Sequence, residues 1–262
     1  MEDYEVFAIR YGTVERKSSE NFIGGDPHET ASNLDYYVWL ARSREHTVVI
    51  DTGFDAAVAQ RRGRRLTTPV AQSLKRLDVD PEKIRDVIIT HLHYDHVGNF
   101  ELFPSATFHL QDDEMSFATG RHMTNEFFRH FYEVDEVVGM VRRVYEGRVR
   151  FHDGDVELSP GLSLHRIGGH TRGLQAVRVH TRAGWIVVAS DASHLYANME
   201  EGRPFPAVFD VGRMVEGYRR LRELADSPDL IVPGHDPLVM QRYPAVAGLE
   251  GIAARLDHRP KA

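Results

Sequence analysis

Between Asp86 and Asn99 the chain reads Asp-Val-Ile-Ile-Thr-His-Leu-His-Tyr-Asp-His-Val-Gly-Asn, which puts His91, His93, Asp95 and His96 within six residues, directly after an apolar run. Imidazole nitrogen and carboxylate oxygen are good ligands for divalent cations such as zinc. On an extended segment His91 and His93 differ by two positions and project to the same side. Asp95 and His96 come where the chain would turn into a helix, and so face a different point. That layout suits two metal ions side by side rather than one. A lone histidine is ordinarily a satisfied core or surface residue; a pair at i, i+2 followed by Asp-His at a strand terminus is the pattern of a metal site. The chain has no cysteine, which excludes thiolate ligands, a thiolate nucleophile and disulfides.

His91-x-His93-x-Asp95-His96 resembles the signature of the metallo-β-lactamase-fold hydrolases, and further landmarks of that family follow in order along nearly the whole chain. Asp51-Thr-Gly53 is similar to its small-residue turn after an early strand, and Gly169-His170-Thr171-x-Gly173 to its Gly-His-[Ser/Thr] loop. Ser190-Asp191 resembles its metal-bridging aspartate, and Pro233-Gly234-His235-Asp236 its last ligand. The resemblance implies that His91, His93 and His170 hold one ion, that Asp95, His96 and His235 hold the other, and that Asp191 bridges both. It also implies that Asp51 orients a ligating histidine, a task carboxylates commonly fill. Two divalent ions per chain are expected, zinc first; manganese, iron or cobalt suit the same nitrogen and oxygen donors. The implied fold is α/β (α+β): a four-layer αββα sandwich of two related halves, in a single domain over residues 1–262.

Several branches of the family are excluded by particular residues. Lactamases with a Cys ligand are excluded by the missing cysteines, and His93 stands where flavodiiron proteins carry Glu. No basic excursion matches the RNA-binding arm of ribonuclease Z-like enzymes. The opening strand, the loop 21–28, the strand 34–40 and the segment 205–210 look most like the N-acyl homoserine lactonase-like branch. The resemblance therefore implies quorum-quenching chemistry: a metal-bridging hydroxide opens an acyl-homoserine lactone, or another small lactone or ester, while Asp95 shuttles a proton. The alternatives are a glyoxalase II-like thioesterase and a persulfide dioxygenase-like oxidoreductase with one iron, which would leave Asp95 and His96 unused. One departure stands out. Lactonases of this branch usually carry Tyr three residues after the bridging aspartate; here that position is His194, and Tyr196 lies two further on. His194 or Tyr196 is the candidate hydrogen-bond donor to the developing oxyanion; the other reading of His194 is a solvated loop histidine.

Substrate-binding candidates come from two segments. Phe22 and Ile23, flanked by Gly24-Gly25, suit a lid, since glycine-rich loops are where binding residues concentrate. Phe117 and Phe128 belong to an aromatic- and Met-rich stretch that also holds Met115, Met123, Phe127, Phe131 and Tyr132. That stretch reads either as a lid over an acyl chain or as core beneath a helical insertion. His28, His46, His109, His122, His130, His152, His165, His180 and His258 carry no assignment.

The elements that must position these groups are short β-branched runs at 6–9, 36–40, 47–50, 87–90, 107–110, 162–167, 176–180, 185–189 and 230–232, which read as strands. Helical patterns cover 68–77 and 112–118, and Asp210 is a helix N-cap ahead of an apolar stripe of Met214, Val215, Tyr218, Leu221 and Leu224. A strand followed by Asp51-Thr-Gly is echoed by a strand followed by Asp191-Ala-Ser, which favours one domain of two halves over two separate domains. With 42% hydrophobic and 27% charged residues the 262-residue composition is that of a globular protein. A net charge of -7, from 32 Lys+Arg against 39 Asp+Glu, argues against nucleic acid as a partner. No apolar run approaches the ~20 residues of a membrane span, and the acidic start Met-Glu-Asp-Tyr-Glu lacks the basic region of a signal peptide. The expected setting is cytoplasmic, with a small-molecule lactone or ester as partner; a homodimer is compatible with the sequence.

Overall fold

The computed structural model describes residues 3–26, 28 and 31–261; Met1 and Glu2 of the acidic start and Pro27 of the loop 21–28 lie outside the described residues. The strands, in chain order, are β1 Glu5–Val14, β2 Leu34–Arg42, β3 Thr47–Ile50, β4 Arg65–Leu66, β5 Asp86–Ile88, β6 Thr107–Gln111, β7 Val149–His152, β8 Val156–Ser159, β9 Leu162–Arg166, β10 Gln175–Thr181, β11 Gly184–Ser190, β12 Ile231–Pro233 and β13 Ala253–Arg255. They make two sheets. The first has the order β13-β1-β2-β3-β5-β6-β7, with β4 on β1, and the second the order β12-β11-β10-β9-β8. Every run read as a strand is one.

Alternation along the strands of the first sheet shows why it lies inside the molecule. Val6 and Ala8 of β1, with Tyr37, Trp39 and Ala41 of β2, face a core shared with Leu164, Val177 and Val187 of the second sheet. Their neighbours Phe7, Ile9, Tyr11, Tyr36, Val38 and Leu40 face a second core shared with Val58, Leu74 and Met140, from the helices Ala56–Arg61, Val70–Arg76 and Val134–Tyr145. Successive side chains point to opposite faces, so a strand buried on both must be apolar throughout. Each fully buried aliphatic side chain contributes about 1.5–3 kcal/mol. On the outer face of the second sheet lies the helix Val211–Leu224, which sends Met214, Tyr218, Leu221 and Leu224 into the first core. The layers therefore run helix, sheet, sheet, helix, as expected.

Local chemistry sets several boundaries. Asp210 caps its helix by accepting the Arg213 amide at 3.0 Å. Val215 leaves the expected stripe and is exposed, because one step from Met214 turns it about 100° around the helix; Gly217 is buried instead. The strand expected at 87–90 ends at Ile88, since the Thr90 amide leaves the ladder and donates to Asp51 Oδ1 at 2.7 Å. Sequence reasoning missed β4, β7, β8 and β13, which are short or carry charges at alternate positions, and the valine-rich helix Val134–Tyr145. No helix among the described residues is long and apolar enough to cross a membrane.

Candidate metal centre

In each sheet a pair of parallel strands, β3/β5 in the first and β11/β12 in the second, ends at the same edge. Ligands to open α/β sheets bind outside the carboxyl ends of strands, and four of these ends deliver the candidate residues. Asp51 follows β3, His91, His93, Asp95 and His96 follow β5, Asp191 follows β11, and His235 follows β12. His170 arrives on the loop between β9 and β10. Gln175, at the start of β10, ties that loop to the first sheet: its amide donates to the Thr90 carbonyl at 3.1 Å and its Nε2 to the Ile89 carbonyl at 2.9 Å. Among the described residues three non-glycines have left-handed backbone, and two of them flank this edge, Asp51 at φ 60° and Ser190 at φ 47°. Such conformations persist only where the surroundings fix them. Glycine is required at position 234, where a Cβ would lie 2.6 Å from Asp191 Oδ1.

Three overlapping ligand-capable groups result, one of them Asp191, His194 and His235. His91, His93, His170 and Asp191 bring their donor atoms within 4.8 Å of one another, and so do Asp95, His96 and His235. Asp191 reaches both, with Oδ2 3.2 Å from His170 Nε2 and Oδ1 3.0 Å from His235 Nε2 and 3.3 Å from His96 Nε2. All seven are buried.

Hydrogen bonds on the far side of the rings fix which nitrogen faces the centre. Asp51 accepts from Thr90 Oγ1 at 2.7 Å and from His96 Nδ1 at 2.7 Å, so the proton of His96 sits on Nδ1. Thr90 Oγ1 has then given its hydrogen to Asp51 and can only accept from His91 Nδ1 at 3.1 Å. His170 Nδ1 donates to the Ala207 carbonyl at 2.6 Å and His235 Nδ1 to the Asp35 carbonyl at 2.8 Å. In all four rings Nε2 is left with its lone pair turned inward, and His93 brings Nδ1 to 2.9 Å from His170 Nε2. His91 Nε2, His96 Nε2 and Asp191 Oδ1 are buried without a hydrogen-bond partner. Convergent lone pairs around a buried carboxylate are costly unless a cation sits among them. The donor set therefore fits a dinuclear metal site.

The ionisation directions follow from burial and charge. Burial, with neighbouring imidazoles, holds His91 and His93 well below the usual histidine range, so both are neutral. Burial opposes ionisation of Asp191, but His194, His235, His96 and His170 outweigh it and hold the carboxyl well below its usual value. Burial lowers His96 and His235 too, yet Asp191 and Asp95 overcome it and raise both: the carboxylates draw positive charge to the inward Nε2 of these rings, whether as a proton or as a metal ion.

The other sequence candidates divide. Asp51 contacts a ring of the centre, as expected. His194 is no solvated loop residue: it is buried, its Nε2 lies 3.0 Å from Asp191 Oδ2, and its ring stacks on Phe205 at 3.7 Å. Burial takes it down to about 3, against the pull of Asp191. It lines the cleft over the centre, with its Nε2 turned to Asp191. Tyr196 is misplaced by the sequence reading. It lines a separate cavity together with Phe22 and Arg242, whose guanidinium lies 3.9 Å over its ring. Phe22 is buried in the wall of that cavity under Arg203, and Ile23 is exposed and absent from the cleft wall. Phe117 and Phe128 pack with His122 and Phe209 in an aromatic cluster behind the cleft, so of the two readings of that stretch they follow the core one; Phe131 from the same stretch does reach the cleft.

Sequence reasoning missed the cleft wall and one buried acid. Tyr36, Tyr94, Arg16, Arg62, Arg64 and His130 line the cleft. Arg64 Nε donates to the Tyr94 hydroxyl at 3.0 Å, and the Tyr94 and Tyr36 hydroxyls are 3.2 Å apart. That pair shares a single hydrogen bond, so one hydroxyl hydrogen stays uncommitted. Glu114 is fully buried and accepts from the Leu92 amide at 2.9 Å, Thr171 Oγ1 at 2.6 Å and the Gly173 amide at 3.1 Å. It thereby binds the loop of His91 and His93 to the loop of His170. Its only sequence signal is an acid on the inward face of the helix Asp112–Ala118.

Fold and site together define a two-sheet α/β protein with a His/Asp centre where its sheets meet. The family model described as the metallo-beta-lactamase superfamily matches residues 33–235, and the chain belongs to that superfamily. The N-acyl homoserine lactonase AiiA of Bacillus thuringiensis subsp. kurstaki is 26% identical over 223 residues, covering 78% of this chain and 82% of the relative. Among solved structures, a quorum-quenching N-acyl homoserine lactone lactonase superposes with a TM-score of 0.76 at 24% identity, over 90% of this chain and 94% of the other. AidC, described as a dizinc quorum-quenching lactonase in complex with a product, superposes with a TM-score of 0.69 at 17% identity, over 89% and 88%.

Proposed function

We propose that this protein opens a lactone or a closely related small ester, with two divalent metal ions, zinc foremost, held in the His/Asp centre. The chain is a metal-dependent hydrolase acting on ester bonds. His91, His93 and His170 would hold one ion, Asp95, His96 and His235 the other, with Asp191 shared. When bound, such a pair supplies Lewis acidity and a water whose pKa falls from 15.7 towards about 7. The observation that carries the reading is Asp191 touching both ligand groups. Two complete groups favour hydrolysis over one-iron persulfide chemistry, which has no use for Asp95 and His96. The lactonase relatives support the lactone over a thioester.

The residues of the chain have separable tasks. Asp51 and the carbonyls of Asp35 and Ala207 hold protons on Nδ1 of His96, His235 and His170, keeping Nε2 basic. His194 steadies the shared carboxylate. Asp95, at the cleft, is placed to carry a proton to the leaving alkoxide. The uncommitted hydroxyl hydrogen of the Tyr36–Tyr94 pair is the donor for a developing oxyanion, the role first sought in His194 or Tyr196. One domain spans the chain on this reading, since β13 near the C-terminus pairs with β1 and closes the first sheet.

Elemental analysis of natively purified protein, with a panel of lactones, thioesters and aryl esters assayed before and after chelation, tests the proposal. Two ions per chain and lactone turnover abolished by chelation are expected. Fewer than one ion per chain, or turnover that survives chelation, would refute it.

A further inference from the structure

The rim of the cleft carries a charge that the chain as a whole does not. The protein is acidic, at -7, yet Arg16, Arg62 and Arg64 all line the opening above the His/Asp floor. Arg62 is committed to structure. Its Nε donates to Glu133 Oε1 at 2.8 Å and its terminal nitrogens to the carbonyls of His130 and Tyr132 at 2.8 and 3.1 Å. Arg64 gives only Nε, to the Tyr94 hydroxyl. Arg16 gives one terminal nitrogen to the Glu20 carbonyl at 2.7 Å, and its buried Nε has no partner. The Glu20 carboxylate beside it is turned to the Lys17 amide at 2.7 Å. Burial lowers the Arg16 pKa, the Glu20 carboxylate and the Tyr36 hydroxyl offset part of that, and the Arg64 charge lowers it further, so the two guanidiniums stand within electrostatic reach of each other.

Both guanidiniums keep N–H groups uncommitted at one opening, and among the described residues no carboxylate is hydrogen-bonded to either, which leaves them able to receive an anion. A guanidinium fork matches the two oxygens of a carboxylate in distance and plane. The cleft has a volume of about 50 Å3, room for a compact ring. Across from Arg64, Arg16 lies 5.2 Å over the ring of Phe205, which itself stacks on His194. A ligand anchored at the rim therefore has its other end against the His/Asp floor.

We propose that the substrate is a compact lactone or ester bearing a carboxylate, gripped by Arg64 and Arg16 while its reacting carbonyl meets the floor. This rests on the hydrolase reading above for the identity of the reacting group, but the anion site itself is tested without turnover. Calorimetric titration would compare pyrrolidinone with its ring-carboxylate analogue, the unreactive lactam counterparts of butyrolactone and paraconic acid. The carboxylated lactam is expected to bind about ten- to a hundredfold more tightly, the range of one charge-assisted hydrogen-bonded pair. Arg64→Gln and Arg16→Gln should each erase most of that difference, and Arg64→Lys, which keeps the charge but loses the fork, should erase part. Unfolding midpoints close to wild type would certify that the variants are folded. In parallel, kcat/KM for paraconic acid over that for butyrolactone should fall about tenfold or more in Arg64→Gln. Equal binding of the two lactams by wild type, or a difference that survives both substitutions, overturns the anion site. Preferential binding of the carboxylated lactam with no hydrolysis of any lactone or ester would instead leave the anion site standing and bring down the hydrolase reading.

Discussion

Two clusters of histidine and aspartate among the described residues are built on opposite plans. At the outer part of the first sheet, Asp86, His109 and His152 form a closed chain: His109 Nε2 lies 2.9 Å from Asp86 Oδ1, and its Nδ1 lies 3.0 Å from His152 Nε2. Each shared hydrogen has a donor and an acceptor, and the two imidazoles stack within 3° of parallel. At the sheet junction the rings instead give their hydrogens outward, to Asp51, Thr90 and two carbonyls, and leave lone pairs converging on Asp191. Both clusters contain the same residue types. The difference teaches that a metal site is marked by donors left open after every local hydrogen bond is counted, and not by the number of histidines.

The sharpest way to break the comparison is at Asp191. Asp191→Asn keeps the shape but removes the charge on which both ligand groups converge. Metal ions contribute several kcal/mol of transition-state stabilisation, so hydrolysis is expected to fall by about a thousandfold, together with metal content. A variant that retains both ions and full turnover would show that the junction is merely another polar network.

A smaller effect is expected one contact away. Asp51→Ala leaves every ligand in place but frees the Nδ1 proton of His96 and the Thr90 hydroxyl. Partners behind a ligating histidine typically govern metal affinity by about 10–100-fold. Competition with a chromophoric chelator should register that loss at the site of Asp95, His96 and His235, with the other site weakened less. Equal weakening of both would point to general unfolding of the edge, which the near-ultraviolet circular dichroism would register independently.

What was legible in the sequence follows from range. His91, His93, Asp95 and His96 could be read because one strand end fixes all four, and the layers because strands buried on both faces must be apolar. The sequence left His194 between a donor at the site and a solvated loop residue, because only tertiary packing against Phe205 and Asp191 decides between them. Tyr196 was considered for its nearness to Asp191 in the chain and Phe22 for the glycines beside it, and the fold puts both in the wall of a neighbouring cavity. Arg16 and Arg64 gave no signal at all. They reach the cleft from a strand-to-loop passage and from the segment before β4, and only tertiary packing brings them together.

The smallest predicted effect lies in the closed cluster and completes the contrast. Burial, with His109 and Arg150 adding their charge, holds His152 down at about 4, whereas an unfolded chain would titrate near 6.5. As the pH falls below about 6.5 the unfolded state takes up a proton at this ring that the folded state refuses until about 4. The group thus contributes stability above 6.5 that drains away between those two values. His152→Gln keeps an amide donor for His109 Nδ1 and removes the titration, so the variant should gain on wild type as the pH is lowered from 7.5 to 5. The ring is partly open to solvent and screening trims the effect, which should come to about 1–2 °C in the unfolding midpoint. Metal content should be unaltered, because every donor in this cluster already has its partner. Parallel unfolding curves would show that His152 titrates normally, and lost metal would show that the closed cluster had been in communication with the open one.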